Sequence, residues 1–370
     1  MEVDKSLKIA HVQVIPKMSG AQMVSYEILS RINNDDAKKY IICGELTNDS
    51  KDFEDMFSSA GVEIISIPSI RRNIGLHDIK AFFSLYKLFR NEKFDIVHTN
   101  STKPAIIARI AARLAGIKKI VHTVHGIAFH KRKSLPVRFF YFMLEYISAL
   151  FGHFNVSVNE YYTKYYPFIK TIVIKNGVDF SKLEVKNDAN GIESLHFAFM
   201  ARLDEQKNPM EFLEAVKLFK KYYKGNIPVR FSMAGSGPHA RDCIDFANYS
   251  NLYDVLDFTG WIRDKSEFLN SVDVICQPSN WEAFGIVFVE AAYFEIPSIA
   301  KRVEGVPEVI SDNITGMTYT GGKEELCKCM LLYANTPSVI KEHGKAARNK
   351  ALSEFSVDDM VVKYKGIYNI

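Results

Sequence analysis

Two rhythms of apolar residues alternate along this chain from end to end. Short runs rich in β-branched and aromatic residues, at 9–15, 40–43, 63–67, 96–98, 120–124, 155–158 and 171–174, read as strands. Between them lie amphipathic stretches with helical spacing. The clearest is "KPAIIARIAARLAGI": Pro104 suits a first turn, Ile106, Ile107, Ile110 and Leu114 form one stripe, and Gly116 ends it. After the polar stretch "NGVDFSKLEVKNDANGIESL", residues 176–195, the same rhythm restarts, with strands predicted at 196–200, 229–233, 255–258, 274–277, 298–300 and 316–319.

Strand and helix in strict alternation is the pattern of parallel sheets with crossover helices. The restart marks a domain boundary, because 370 residues exceed what one hydrophobic core usually holds. The expected fold is therefore α/β, with two Rossmann-like doubly wound domains facing a central cleft. The expected limits are 1–176 and 177–352, with a last helix over 353–370 that crosses back to the first domain. No short-period repeat argues for a solenoid or propeller.

Composition narrows the function classes. A net charge of +4 is too weak to argue for nucleic acid, and no basic stripe with interleaved aromatics is present. Five scattered cysteines, an odd number, speak against a disulfide framework and for a reducing, cytoplasmic setting. Cys327 and Cys329 have the wrong spacing for zinc. The start, "MEVDKSLKIAHVQVI", is unlike a signal peptide, and no stretch has the roughly 18 uninterrupted apolar residues of a membrane span. Residues 130–151, "HKRK" followed by an aromatic helix, are either a buried helix behind a solvated basic loop or a peripheral, membrane-facing one.

In doubly wound sheets ligands sit beyond the carboxyl ends of the strands. The unusual residues of this chain fall there: "KMSGAQ" at 17–22, "HTVHG" at 122–126, "MARLDEQKN" at 200–208, "MAGSGP" at 233–238 and "NWEAFGIVFVEAAYFEIP" at 280–297. In the last of these, Gly285 allows a turn and a helix follows over 286–294, with Glu290 on its second turn and Glu282 in the loop before. Were the whole stretch helical, about 12 Å would separate the two carboxylates, too far for a shared proton or metal. That span suits the ends of an elongated ligand, and the free N–H groups of the helix start favour an anion between them. A nucleotide-sugar has this shape. Arg202 and Lys207 precede Pro209, a plausible helix start, and together can grip one anion by fork and point charge.

Taken together, Gly20, His125-Gly126, "NGVD", Arg202 with Lys207, "AGSGP", "FTGW", the paired glutamates and "EGVPEVI" resemble, in order and spacing, the retaining GT-B nucleotide-sugar glycosyltransferases of family 4. The resemblance spans nearly the whole chain and implies a hexosyltransferase of cell-surface polysaccharide synthesis. It implies that Arg202 and Lys207 hold the diphosphate, that Glu290 binds the ribose hydroxyls, and that Glu282 and His125 lie beside the sugar. It further implies that Gly20, Gly235, Gly237 and the backbone at Phe284, Gly285 and Ile286 border the donor. Three departures stand out: Ser19 precedes Gly20 where relatives show a second glycine, Asn100 stands where a histidine is common, and Glu304 replaces a glycine before Gly305. His11, His122 and His130 read as structural.

The implied donor is a UDP- or GDP-sugar used as co-substrate, with no cofactor and no metal. The implied acceptor is a glycan or lipid-linked glycan, with peripheral membrane contact through 130–151 at the inner face of the cytoplasmic membrane. The competing readings are a UDP-sugar epimerase of the same architecture and a non-catalytic glycosyltransferase-like subunit.

Overall fold

Seven parallel strands build the first sheet: β1 (Leu7–Val12), β2 (Ala37–Cys43), β3 (Val62–Ser66), β4 (Ile96–Thr99), β5 (Lys119–Val124), β6 (Phe154–Ser157) and β7 (Thr171–Val173), in the order β3-β2-β1-β4-β5-β6-β7. The computed structural model describes residues 6–100, 102–130, 132–186 and 193–370, without the side chains of 102–105. Lys131 of the basic run, residues 187–192 of the polar stretch and the first five residues lie outside the described set. Helices α1 (Gly20–Ser30), α2 (Lys51–Ser59), α3 (His77–Glu92), α4 (Thr102–Leu114) and α5 (Leu135–Ala149) connect the strands. Helices cover a parallel sheet on both faces, which is why its strands read as nearly continuous apolar runs.

The second sheet has six parallel strands, β8 (Leu195–Met200), β9 (Val229–Ala234), β10 (Leu256–Gly260), β11 (Val274–Gln277), β12 (Ser298–Lys301) and β13 (Gly316–Tyr319), in the order β10-β9-β8-β11-β12-β13. Its helices are α6 (Pro209–Tyr222), α7 (Ala240–Tyr249), α8 (Lys265–Leu269), α9 (Ile286–Tyr293), α10 (Val306–Val309), α11 (Lys323–Asn335) and α12 (Pro337–Glu354). A core of Phe197, Phe199, Phe212, Phe231, Leu326 and Tyr333, among others, fills one side of this sheet.

Two compact units result: Met1–Gly177 together with Val357–Ile370, and Val178–Ser356. The last helix, α13 (Val357–Tyr368), belongs to the first unit, where Met360, Val361, Tyr364 and Tyr368 join Ile9, Ile28, Ile41 and Phe57 in one core. The segment assigned to the first unit begins at Val357 rather than near 353, because α12 runs on to Glu354 within the second unit. A second core layer of the first unit holds Val12, Ile42, Leu85, Phe89 and Val97.

In each sheet the strand order reverses at one place, between β1 and β4 and between β8 and β11. The loops leaving such neighbouring strands diverge to opposite faces and leave an opening at the carboxyl edge. Gly20 and Asn100 follow the first pair, and Arg202, Lys207 and Glu282 follow the second.

Candidate active site

In the second unit, backbone geometry brings the predicted loops together before any side chain is considered. Gly235 has φ +140, and a Cβ there would lie 1.9 Å from the carbonyl oxygen of Ala201; at Gly237 a Cβ would lie 2.4 Å from that of Leu203. The turn after β9 thus presses directly under the loop after β8, a contact open only to glycine. That loop is stitched in turn to the one after β11. The backbone N–H of Asn280 donates to the Gln206 carbonyl at 2.8 Å, the Asn280 amide to the Glu205 carbonyl at 2.6 Å, and the Gln206 amide to the Trp281 carbonyl at 3.2 Å.

On this frame the Lys207 ammonium pairs with the Glu282 carboxylate. Both side chains are largely buried, and Ser279 adds a hydroxyl donor to the same carboxylate at 3.4 Å. Arg202 stands half-exposed beside them, held to Asp204 at 3.1 Å and Gln206 at 3.4 Å, with its guanidinium free to swing toward an anion. Spacing along the chain gave no sign that Lys207 and Glu282 meet, since each partner was assigned its own task.

Gly285, at φ +82, turns the chain into α9, and a Cβ there would strike the Phe288 ring at 2.4 Å. The helix starts at Ile286, behind the buried Phe284, so its first N–H groups form a positive edge next to Glu282. Glu290 lies one turn further on and is buried, as its place in an apolar run requires. The burial is offset by Lys265, at the start of α8, whose ammonium lies 2.6 Å from the carboxylate. Lys265 was not singled out from the sequence: it belongs to no motif, and its partner is remote along the chain. Glu304 has φ +41, a backbone region that glycine occupies without strain.

In the first unit Gly20 opens α1, with Ser19 as its N-cap in extended conformation. His125 follows β5. Its Nε2 lies 3.2 Å from the Asn100 side-chain oxygen. The ring is desolvated although the residue as a whole keeps some exposure, and burial, reinforced by neighbouring His122, lowers its pKa to about 3. The imidazole is therefore neutral at physiological pH. His122, behind it, is buried beside Glu145 and Arg109, which pair at 2.8 Å. Among the described residues, no group of three His, Cys, Asp or Glu side chains could hold a metal ion, and no helix is long and apolar enough to cross a membrane. The described cysteines are free thiols.

Two doubly wound sheets, with a basic and acidic cluster at one switch point and a neutral histidine near the other, define a class. Residues 18–182 match the family model described as Glycosyltransferase Family 4 and residues 184–349 the one described as Glycosyl transferases group 1. The chain belongs to this glycosyltransferase family, has the GT-B fold and is a hexosyltransferase. It is 33% identical to the UDP-Gal:alpha-D-GlcNAc-diphosphoundecaprenol alpha-1,3-galactosyltransferase of Escherichia coli, across 98% of this chain and 96% of that protein. It is 22% identical to the capsular polysaccharide biosynthesis glycosyltransferase CapM of Staphylococcus aureus, across 99% and 97% of the two chains. Among solved structures, Anabaena HepE in complex with UDP superposes with a TM-score of 0.81 at 16% identity, covering 98% of this chain and all of that one.

Proposed function

We propose that the chain moves a hexose from a UDP-sugar, with the anomeric configuration retained, onto a hydroxyl of a lipid-linked glycan during surface polysaccharide assembly. The single observation that carries this reading is the buried Lys207–Glu282 pair at the β8/β11 switch point, beside Arg202 and the start of α9. An arriving diphosphate competes with Glu282 for Lys207 and recruits Arg202, so positive charge stands where the leaving group gains negative charge. Glu290, paired with Lys265, is assigned to the ribose, and Glu282 and His125 to the sugar. Gly20, Gly235, Gly237 and the backbone of 284–286 border the donor in this reading. Relatedness to a UDP-Gal-dependent enzyme favours UDP and galactose.

The chemistry is a front-side exchange. The bond from the anomeric carbon to phosphate oxygen breaks, the bond to the acceptor oxygen forms on the same face, and the acceptor's proton passes to the departing phosphate. A double-displacement route would need two carboxylates flanking the anomeric carbon at roughly 5 Å. Here Glu282 and Glu290 each face a different lysine instead. No metal is required, so turnover is expected to survive chelator. Residues 1–176 serve the acceptor and 177–352 the donor.

Contact with the membrane is assigned to α5, where Leu135, Phe139, Phe140 and Leu150 stand exposed after the basic residues Arg132 and Lys133, while Glu145 and Ser148 face inward. Such a face suits the anionic inner surface of the cytoplasmic membrane. Phe139→Ser/Phe140→Ser should lower sedimentation with anionic vesicles at low salt and leave melting unchanged. Equal sedimentation of both proteins removes this contact.

Lys207→Ala and Glu290→Ala test the site itself. Transfer from UDP-galactose should fall by roughly 10²–10³-fold in each, with folding retained. Wild-type turnover in either variant would strip that residue of its role.

A further inference from the structure

Behind His125, a continuous line of hydrogen bonds runs through the first unit to the last helix. The Asn100 amide nitrogen lies 3.4 Å from the His98 carbonyl oxygen and 3.4 Å from His11 Nδ1. His11 Nε2 lies 2.8 Å from the Tyr368 hydroxyl, which lies 2.5 Å from His98 Nδ1. His98 Nε2 lies 2.8 Å from the Thr123 hydroxyl. All five side chains are buried.

The direction of this line follows from one group that has no choice. A backbone carbonyl can only accept, so the Asn100 group facing the His98 carbonyl must be its NH₂. Its oxygen therefore faces His125, and Nε2 of His125 must carry the hydrogen. The same NH₂ donates to His11 Nδ1, which is then bare, so His11 Nε2–H donates to the Tyr368 oxygen. Tyr368 has one hydrogen, and it goes to His98 Nδ1. His98 Nε2–H then donates to Thr123. Every donor in the line meets an acceptor in only this sense, with each ring neutral.

We infer that Asn100, turned by the His98 carbonyl and steadied by a His11 ring whose Nδ1 Tyr368 keeps bare, is a positioning residue that locks His125 in its Nε2–H tautomer, so that Nδ1 accepts a hydrogen bond from a sugar hydroxyl. The second clause rests on the reading of His125 as a sugar contact; the lock itself rests on the geometry. Among the described residues, no hydrogen bond engages His125 Nδ1. A bare Nδ1 recognises a hydroxyl and repels a phosphate oxygen, which separates His125 in kind from Lys207 and Arg202. The last helix, which carries no predicted motif, thereby acquires a task in substrate recognition.

The test is nitrogen NMR of the histidine-labelled full chain, with transfer from UDP-galactose measured in parallel. Tyr368→Phe removes one hydroxyl from the line. Tyr364→Phe removes another from the same helix, 3.0 Å from Thr123 and past the last ring, and serves as the control. The wild type should show His125 with Nδ1 bare. Tyr368→Phe should show a mixture of tautomers and transfer roughly five- to tenfold slower, the worth of one hydrogen bond, while Tyr364→Phe keeps both. A protonated Nδ1 in the wild type, or matching tautomer and rate in the two variants, would overturn the lock. Should Tyr368→Phe fail to fold, Asn100→Ala cuts the same line beside His125 and must show the same mixture. Wild-type transfer in His125→Ala would overturn the sugar contact alone, because the tautomer measurement needs no substrate.

Discussion

Gly235 shows how a residue can matter to a binding loop without touching a ligand. The space its side chain would take is filled by the Ala201 carbonyl, and its φ of +140 is one that L residues rarely adopt. Gly235→Ala must therefore push apart the very loop that carries Arg202. Backbone strain and overpacking each cost about 1–3 kcal/mol, so the second unit should lose several degrees of melting temperature. Turnover should fall further than stability does, since the displaced loop also holds Lys207. Gly344 offers the comparison: a Cβ there would lie 2.0 Å from the Glu295 carbonyl oxygen, in a helix of the second unit that carries none of the assigned residues. Gly344→Ala should cost stability at a comparable level, yet once folded at low temperature it should turn over at the wild-type rate. Melting curves and rates for the two variants separate the cases; equal loss of turnover in both would mean that Gly235 is merely a packing glycine.

At the scale of elements, α13 contributes more than its length suggests. Val357, Met360, Val361, Tyr364, Ile367 and Tyr368 are buried in the core of the first unit, and Lys119 donates to the Tyr368 carbonyl at 2.8 Å. At about 1.5–3 kcal/mol per buried side chain, the six together amount to roughly 9–18 kcal/mol as an upper range, comparable to the whole stability of a domain. A chain ending at Ser356 should therefore leave the first unit unfolded while the second, which ends there, keeps its native tryptophan emission and resists protease. A truncated chain with full circular dichroism would refute this. The alternating strands and helices were legible from apolar spacing because parallel strands are buried on both faces, and the turn at Gly285 was legible because glycine alone tolerates it. What remained hidden depended on partners remote in the chain. His11 read as structural, yet it relays Tyr368 to Asn100; Lys265 sits in no motif, yet it neutralises Glu290. Helix α5 left two readings open because it has both kinds of face, with Glu145 and Ser148 buried and Phe139 and Phe140 in solvent.

For the molecule as a whole, the two units differ in how they meet acid. The first holds His11, His98, His122, His125 and His153, all lowered chiefly by burial, His11 and His125 to about 3. In the second, His196 is lowered to about 4 and His343 is lowered as well. A histidine whose pKa is depressed in the fold takes its proton first in the unfolded chain, near pH 6.5. The unfolded state then binds more protons, so stability falls as pH drops below about 6.5, and for buried His11 and His125 the loss runs on toward pH 3 at about 1.4 kcal/mol per pH unit each. Glu145 adds to the loss at the acid end. Burial pushes its pKa up, but Arg109 and His122 outweigh that and hold it at about 2, so its contribution is present above the ordinary carboxylate range and fades as pH approaches 2. With more such rings, the first unit should weaken faster than the second. Both tryptophans, Trp261 and Trp281, lie in the second unit, so their fluorescence follows that unit while far-ultraviolet circular dichroism follows both. Between about pH 7 and about pH 5 the dichroism midpoint should fall ahead of the fluorescence midpoint, opening a gap between two melting steps. Midpoints that coincide and fall together over that range would show the units unfolding as one cooperative block, with the histidines of the first setting the acid limit of the whole chain.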